Sequence, residues 1–293
     1  MTPHGVLVVD KPRGPTSHDV VSAARRALHT REIGHAGTLD PMASGVLVLL
    51  VGEATKLSSY LALDEKTYVA TVTFGVGTAT LDAEGEVTER SPTPPLLTDA
   101  ALARALDEEL ARTLQVPPAF SAISVGGRRA HRMARRGEAP DLPPRPVTLR
   151  AARLLGRTAD TATFELHVSK GYYVRSFARD LGATLGVAAH LSALERRASG
   201  PYTLADAVPH PLPPEPRMLS LSDAACRALP SVRLLPDGLV RCRHGKQLTV
   251  ADFESAPPGG VSAFLTPGGG LAAIGEPDGE GGFRVRRGFH DDL

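Results

Sequence analysis

The longest uninterrupted apolar segment of the chain is only six residues long, VLVLLV at positions 46–51. A helix needs about 20 apolar residues to cross a bilayer, so this segment is far too short to span one. Its length and its flanking glycines instead predict a fully buried strand. Other short runs predict further strands, and amphipathic segments between them predict helices; the strand candidates include GVLVVD, KTYVATVTFG, PVTLRAARLL and TATFELHVS. We therefore expect a mixed helix-and-sheet protein.

The sequence predicts a cytoplasmic protein that holds no metal. The N-terminus, MTPHGVLVVDKPRG, lacks the charged-then-apolar order of a signal peptide. Two cysteines, Cys226 and Cys242, cannot by themselves build a disulfide framework or a four-cysteine metal site. The ten histidines are scattered along the chain without the spacing of metal ligands.

The distribution of charge favours a polyanionic partner, although the net charge is only +1. The basic residues are 28 arginines and five lysines. Arginine binds phosphate with a planar fork, but high arginine use can equally reflect a GC-rich genome. Residues 128–136 read RRAHRMARR with no acid, whereas residues 82–110 are mostly acidic. A nearly neutral chain can therefore still present a basic face.

The segment GHAGTLDPMASG, residues 34–45, is predicted to be a loop that leads into the buried strand. Its glycines let the backbone approach a bulky group closely. Asp40 would be aimed by the rigid strand beside it, as catalytic groups often are. The alternative role is structural, because Asp-Pro commonly starts a turn and Asp40 could cap a short helical turn. Spacing alone leaves both roles open.

Several segments resemble, in chain order, motifs of the TruB family of tRNA pseudouridine-55 synthases. The loop GHAGTLDPMASGVL resembles that family's catalytic motif, and GVLVVDKPRGPTSHDVV resembles its N-terminal strand and Lys-Pro turn. The likeness continues through GEATKLSSYL, KTYVATVTFGVGTATLDAEG, the thumb-like VPPAFSAISVGGRRAHRMARRGE, the arginine motif SKGYYVRSFARDLG and the closing strand AHLSALERRASGPY. The tail is similar, more weakly, to a PUA domain. The resemblance thus spans nearly the whole chain.

The resemblance implies an α+β fold with two domains. Residues 1–225 would form a pseudouridine-synthase catalytic domain, with a mixed, largely antiparallel sheet, flanking helices and a thumb-like RNA-binding insertion at about 117–146. Residues 230–293 would form a small, β-barrel-like PUA domain that binds RNA. A proline-rich stretch at 209–217 separates the two. Because every matched chemical residue precedes that stretch, we expect residues 1 to about 225 to stay catalytic alone.

The implied activity is the isomerisation of uridine 55, in the T-arm loop of tRNA, to pseudouridine. The expected protein is a monomeric enzyme that binds the T-arm stem-loop, acts away from membranes and needs no cofactor. One carboxylate is required, either as a nucleophile on the ribose or base or as a base that removes a ribose proton. The resemblance assigns this carboxylate to Asp40 without choosing among these mechanisms.

The resemblance also implies partners for Asp40. Arg175 would pair with it and keep the carboxylate ionised, Tyr173 would contact the base region, and Tyr68 would stack on the extruded uracil. Alternation at a strand end would place Tyr173 and Arg175 on the same side. The structural alternatives are an ion pair of Arg175 with Asp180, core packing of Tyr173 and a cross-strand aromatic pair for Tyr68.

Three further positions match the family less specifically. His35 would lie beside the substrate loop, Leu194 would contact the target base, and Lys11 with Pro12 would form a turn near the active site. The alternatives are a locally hydrogen-bonded histidine, a core leucine and a supporting role for Lys11 in place of RNA contact.

Helical spacing in the arginine run would put Arg128, Arg132 and Arg135 or Arg136 near one face. The absence of acids and the position in the thumb-like segment favour contacts with RNA phosphates. A solvated surface helix is the alternative.

The chain departs from the family pattern at a few positions. His131 and Met133 stand where the family commonly has two aromatic residues, and Ala79 stands where an acid is common, whereas Asp82 is kept. Two other function classes remain open. One is a tRNA-binding chaperone without essential catalysis, and the other is a glycoside or nucleoside hydrolase. Hydrolases usually need two carboxylates, and the motif region offers only Asp40.

Overall fold

A computed structural model of the chain describes residues 3–61, 65–91, 97–121, 123–125, 127–134, 136–138 and 141–290. The described strands, numbered in chain order, are β1 (Gly5–Lys11), β2 (Ile33–His35), β3 (Ala43–Val51), β4 (Lys66–Phe74), β5 (Val76–Thr78), β6 (Val87–Arg90), β7 (Leu114–Gln115), β8 (Ser124–Val125), β9 (Arg128–Arg129), β10 (Arg145–Pro146), β11 (Leu149–Arg157), β12 (Thr161–Val168), β13 (Ala189–Ser199), β14 (Tyr202–Thr203), β15 (Val208–Pro209), β16 (Ser231–Arg233), β17 (Ser262–Leu265), β18 (Leu271–Pro277) and β19 (Phe283–Gly288).

The described α-helices are α1 (Ser17–Ala27), α2 (Ser58–Leu61), α3 (Asp99–Ala111), α4 (Ala130–Ala134), α5 (Val174–Thr184), α6 (Leu221–Ala228) and α7 (Pro236–Arg243). Short 3₁₀ helices cover Gly52–Leu57, Leu204–Asp206 and Val250–Asp252. The longest of the described helices, α3, has 13 residues. No helix in these ranges has the length and apolar content that a membrane crossing requires.

A nine-stranded sheet forms the centre of the fold. Its main path runs β11-β12-β4-β13-β3-β1-β15, with β14 paired to β13 and β2 paired to β3. The pairs β13–β3 and β1–β15 are parallel, and the other pairs in this sheet are antiparallel. The expected mixed, largely antiparallel sheet is therefore confirmed, and so is the α+β class.

The parallel contact between β3 and β13 depends on a glycine. Gly45 has a φ of +101°, and a Cβ atom there would lie 2.3 Å from the main-chain oxygen of Arg196. Real Cβ atoms do not approach that closely, so a side chain at this position would push the two strands apart. The absence of a side chain at Gly45 lets β13 pack directly against the start of β3, just beyond Asp40.

Strand β3 is buried on both faces, as its apolar run predicts. Leu47, Leu49 and Val51 face a core that α1, α3 and α5 complete. Val46 and Val48 face a second core on the other side of the sheet. Strand β4 is half-buried and alternates, also as predicted.

Thr16 followed three residues later by Asp19 is a sequence pattern that predicts a capped helix start, and helix α1 begins there. Thr16 is its N-cap, and Thr16 and Asp19 form a reciprocal capping box in which each side chain accepts from the other residue's backbone N–H. Such a cap satisfies two of the otherwise unpaired donors of the first turn. The apolar face of Val20, Val21 and Ala24 is buried, so this helix sits rigidly on the sheet.

The C-terminal part differs from the expected barrel. Its strands form an open four-stranded sheet in the order β16-β17-β18-β19, and no closed barrel is found within the described residues. The sequence GLVRCRHGKQL, residues 238–248, predicts a short strand between Gly- and Pro-rich stretches, but residues 238–243 lie in α7. Pro236 at the first helical position, an acid in the first turn and arginines in the last turn favour this helix.

The C-terminal sheet shares a core with the central one. The second core, which contains Val46 and Val48, also contains side chains from the C-terminal part and from α6: Ala224, Ala225, Ala263, Leu271, Ile274 and Phe289. The predicted boundary between residues 225 and 230 stays a prediction, but apolar packing crosses it.

Candidate active site

Asp40 lies in the loop between β2 and β3, where its side chain is 34% exposed. The amide of Ala43 donates to the main-chain oxygen of Asp40 at 3.1 Å, so this residue also opens a turn. The structural and chemical roles are thus compatible. The turn uses the backbone oxygen of Asp40, and the carboxylate remains partly exposed to solvent.

Two buried cations hold the backbone around Asp40. Arg196, only 1% exposed, donates from Nη2 to Gly37 O and from Nη1 to Thr38 O, both at 3.2 Å. Its Nε also donates to Val46 O at 2.7 Å, which ties the loop to β3. Each guanidinium nitrogen of Arg196 therefore donates to a carbonyl of the loop or of the strand that follows, and a planar fork suits this arrangement.

Lys11, at the end of β1, is fully buried. Its ammonium donates to Pro12 O and Pro15 O at 2.8 Å and to Pro41 O at 3.3 Å. Burial lowers the pKa of Lys11 to about 8, and the charge of Asp40 partly opposes that shift. This geometry favours the supporting role of Lys11 over direct contact with RNA.

Arg175 pairs with Asp40. It lies in the first turn of α5, is buried, and places Nε 2.9 Å from Asp40 Oδ2. Its Nη1 lies 3.4 Å from Asp82 Oδ2 and donates to Thr80 O at 3.1 Å, while Nη2 donates to Phe120 O at 3.0 Å. Four groups therefore hold the guanidinium in place.

The structural alternative for Arg175 is wrong, because Asp180 pairs with a neighbouring residue. Arg179 Nε lies 2.8 Å from Asp180 Oδ1. The pairing of Arg175 with Asp40 that the resemblance implied is present in the structure.

A cleft of about 370 Å³ opens over Asp40 and Arg175, a size within the usual range of small-molecule sites. Tyr68, Tyr173 and Leu194 also line this cleft, which brings five of the predicted site residues together. Lys66, Lys170 and Arg196 line it too, so cations surround the single lining carboxylate. The lining therefore offers aromatic, apolar and cationic groups to a ligand.

Tyr68 lies in β4 and is 7% exposed. The residues paired with it on the neighbouring strands are Leu166 and Arg196. Neither is aromatic, so the alternative of a directly opposed cross-strand aromatic pair is wrong. Leu194 is 5% exposed and is both a core residue and part of the cleft wall.

Tyr173 is placed by a helix start, whereas the sequence pattern predicted a strand end. It is the N-cap residue of α5, and its backbone N–H donates to Gln115 Oε1 at 2.9 Å. Burial raises the pKa of its phenol. Tyr173 and Arg175 both reach the cleft, but strand alternation is not the reason.

His35, the last residue of β2, adjoins the loop but is not among the cleft-lining residues. The buried Nδ1 of this half-buried histidine has no hydrogen-bond partner within the described ranges. Burial lowers its pKa, as do the nearby charges of Arg196 and His18.

The arginine run is not one helix. Arg128 lies in β9, only residues 130–134 form α4, and Arg136 follows in a turn. Arg128, Arg132 and Arg136 are exposed, and Arg128 pairs with Glu138 at 2.8 Å. Arg135 lies outside the described residues, as do residues 92–96 of the segment SPTPPLL (91–97), whose prolines predict a linker. Arg128, Arg132 and Arg136 are accessible to a polyanion, since the exposed ion pair of Arg128 with Glu138 is weak.

The sequence indicates no role for two residues of the site, Arg196 and Asp82. Arg196 and Arg197 are adjacent, and only Arg196 is buried. A bulge at Ser192 changes the alternation of β13, so Leu191 and Leu194 both point inward and Arg196 follows them. Simple alternation from Leu191 would have selected Arg197 instead.

The second such residue is Asp82, buried behind Arg175. The backbone N–H of Glu84 donates to its Oδ1 at 3.1 Å. Burial and the charges of Asp82 and Asp40 raise the pKa of Glu84. Asp82 is not among the cleft-lining residues, so it supports Arg175 and does not face a substrate. In the described part of the chain, no three His, Cys, Asp or Glu residues are grouped as metal ligands.

Comparison with known proteins agrees with this geometry. Residues 25–174 match the family model described as TruB family pseudouridylate synthase, N-terminal domain. The chain is 44% identical over 282 residues to the tRNA pseudouridine synthase B of Thermobifida fusca, covering 93% of this chain and 94% of that protein. It is 43% identical to the protein of the same name from Cutibacterium acnes, covering 94% of each chain.

Solved structures share the fold. A crystal structure of a Cbf5-Nop10-Gar1 complex matches with a TM-score of 0.71 and 25% identity, covering 93% of this chain and 78% of that chain. A structure of an H/ACA RNP bound to a substrate RNA containing 2'-deoxyuridine matches with a TM-score of 0.73 and 23% identity, covering 98% and 86%.

Proposed function

Because the chain belongs to the TruB family of pseudouridylate synthases, we propose that it is an isomerase that converts uridine in tRNA to pseudouridine. The proposed target is uridine 55 in the T-arm loop. The substrate contact would be the T-arm stem-loop, bound by a single protein molecule. The observation that carries this proposal is the Asp40–Arg175 pair at 2.9 Å in the cleft.

The reaction needs no change in composition. The bond between N1 of uracil and C1' of ribose breaks, and a bond between C5 and C1' forms. C5 loses a proton, and N1 ends with one. One carboxylate that faces the ribose satisfies the need for a nucleophile or base, and we assign that role to Asp40.

Arg175 positions this carboxylate through an ion pair. Its Nε lies 2.9 Å from Asp40 Oδ2. Since Arg175 is itself held by Thr80 O and Phe120 O, it does not need to reorganise when the substrate arrives, which lowers the cost of the reaction step.

Tyr68, Tyr173 and Leu194 would receive the base. A nucleotide must leave its stack before chemistry on its base can occur, and it then needs an aromatic or apolar surface to pack against. Tyr68 supplies the aromatic face, Leu194 an apolar wall, and Tyr173 a phenol at the edge of the cleft. The exposed cations Arg128, Arg132 and Arg136 would contact phosphates of the T-arm.

The test is incubation of the purified chain with an unmodified tRNA transcript, followed by chemical derivatisation that detects pseudouridine. We expect one uridine, at position 55, to be converted with no change in RNA mass. A transcript with cytidine at that position is the matched control and should give no signal. Release of free uracil would instead indicate a hydrolase, and tight binding without any conversion would indicate a tRNA chaperone.

A further inference from the structure

Both backbone polar groups of Leu39, the residue before Asp40, bond to one side chain. The N–H of Leu39 donates to the Oγ of Ser17 at 2.8 Å. The hydroxyl of Ser17 donates in turn to Leu39 O at 2.9 Å. All of these atoms are buried, and Ser17 is only 3% exposed. The hydroxyl therefore acts as donor and acceptor to the same residue.

This contact differs from those of Arg196 and Lys11. The two cations donate to carbonyls of the loop, but they have no lone pair with which to hold an N–H. Ser17 grips the peptide that precedes Leu39 and the peptide that follows it. The second of these peptides contains the nitrogen of Asp40, so fixing its plane fixes the direction in which the Asp40 side chain leaves the backbone.

Ser17 is itself held on a rigid element. It is the first residue of α1, directly after the N-cap Thr16 with its capping box. The apolar side of this helix is buried against the central sheet. A hydroxyl on such a rigid helix holds the loop at a fixed position relative to the sheet.

We propose that Ser17 is a positioning residue for the reaction, which sets the direction of the Asp40 carboxylate by clamping both peptides of Leu39. This inference rests on the proposed function for its kinetic consequence. Its structural consequence does not depend on that function: without the hydroxyl, the backbone of Leu39 loses two bonds and the loop gains freedom.

The test compares Ser17→Ala with Thr16→Ala in the full chain. Each substitution removes one hydroxyl, and both hydroxyls lie at the start of α1. Only Ser17 contacts Leu39, so only Ser17→Ala should disturb the loop. We expect Ser17→Ala to lower kcat roughly 10- to 100-fold, the usual cost of a misplaced catalytic group, with KM for tRNA nearly unchanged. Thr16→Ala should lower the melting temperature about as much as Ser17→Ala does, but it should leave kcat near the wild-type value.

Ser17→Thr supplies the rescue, because it keeps the hydroxyl and should recover most of the lost kcat. A Ser17→Ala enzyme with wild-type kcat would overturn the proposal. So would an equal loss of kcat in Thr16→Ala, which would assign the effect to the helix as a whole.

Hydrogen exchange separates this proposal from the proposed function. The amides of residues 36–40 and 42 should exchange faster in Ser17→Ala than in the wild type or in Thr16→Ala. If the wild type forms no pseudouridine but this exchange pattern is seen, the proposed function fails and the clamp stands. Unchanged exchange in Ser17→Ala would overturn the clamp even in an active enzyme.

Discussion

Arg175 Nε lies 2.9 Å from Asp40 Oδ2, while the two Nη atoms of Arg175 donate to main-chain oxygens. The guanidinium is therefore oriented by the backbone of Thr80 and Phe120 and does not depend on the aspartate for its position. Removing the charge of Asp40 should leave Arg175 in place. The two residues can thus be tested separately.

Asp40→Asn should fold, bind tRNA and form no pseudouridine. An amide of the same shape can still lie beside Arg175, but it is neither a nucleophile nor a base. Turnover measured by derivatisation should fall below about one per cent of wild type, a barrier increase of at least ~2.7 kcal/mol. Asp99→Asn, at an exposed ion pair with Arg157, is the matched control and should keep full activity. Higher residual turnover would remove Asp40 from its assigned role.

Arg175→Lys should lower kcat by at least about tenfold, because an ammonium has no planar fork with which to reach the carboxylate and two carbonyls together. Steady-state kinetics on the tRNA transcript measure this. Arg153→Lys changes an arginine that is 70% exposed and paired with Glu165, and it should have no effect. Equal kcat values for Arg175→Lys and Arg153→Lys would contradict a role for the planar guanidinium of Arg175.

Replacing Arg128, Arg132 and Arg136 with alanine should weaken tRNA binding and flatten its dependence on salt. Each lost phosphate contact lowers the slope of log K against log salt by about 0.7 to 0.9. The matched control replaces three arginines of β11, each of which is in an ion pair on the surface: Arg150, Arg153 and Arg157. An unchanged salt slope in the variant of Arg128, Arg132 and Arg136 would show that these arginines are a solvated surface that does not contact RNA phosphates.

Lys11 should make stability depend on pH. Burial lowers its pKa to about 8, against 10.5 for an ordinary lysine. Between these values the unfolded chain binds more protons than the folded one, so this group's contribution to stability rises with pH. Below pH 8 the ammonium is charged in both states, and the cost of burying it is fully present.

Urea unfolding of the wild type and of Lys11→Met checks this sign. The free energy of unfolding of the wild type, relative to the variant, should increase as pH rises from about 8 to 10.5. The exposed Lys246 gives the control, and Lys246→Met should show a constant difference from wild type. If the difference between wild type and Lys11→Met were also independent of pH, the lowered pKa of Lys11 would be refuted.

Ile274→Ala should destabilise the whole chain in one step. Ile274 is fully buried in the core that joins β3 to the C-terminal sheet, and such a truncation costs about 2–5 kcal/mol. Thermal unfolding should show a single transition that moves to lower temperature, with kcat unchanged below it. Two transitions, of which only one moves, would show that the C-terminal part is an independent domain, as the sequence predicted.

The shared core also changes the expectation for a truncated chain. The sequence predicts that residues 1 to about 225 stay catalytic alone, because the matched chemical residues all precede the proline-rich stretch. Removing the tail would expose the apolar faces of Val46, Val48 and α6, so we now expect an insoluble or weakly stable fragment. A soluble fragment with wild-type kcat would restore the sequence-based expectation.

The parts of the fold that local chemistry determines could be predicted from the sequence. The capping box at Thr16 and Asp19 and the apolar run of β3 each depend on a few neighbouring residues. The loop at residues 34–45 and the motif around Arg175 could be predicted because both match specific motifs of the family.

What could not be predicted depends on contacts between distant segments. The bulge at Ser192 decides which of two adjacent arginines is buried, and no local pattern indicates it. The open sheet of the C-terminal part and its packing on β3 likewise follow from tertiary contacts. Tyr173 reached the cleft from a helix start because Gln115 holds its backbone, a contact between segments far apart in the chain.

The pairing of β3 with β13 has a consequence for the time at which activity appears during biosynthesis. A ribosome adds about 5–20 residues per second, so β13 emerges on the order of ten seconds after β3. Until then Asp40 has been made, but Leu194 of the cleft wall and Arg196, which holds the loop around Asp40, have not. A nascent chain therefore carries the carboxylate without a cleft around it, and the enzyme becomes competent late, when its last central strand inserts between β3 and β4.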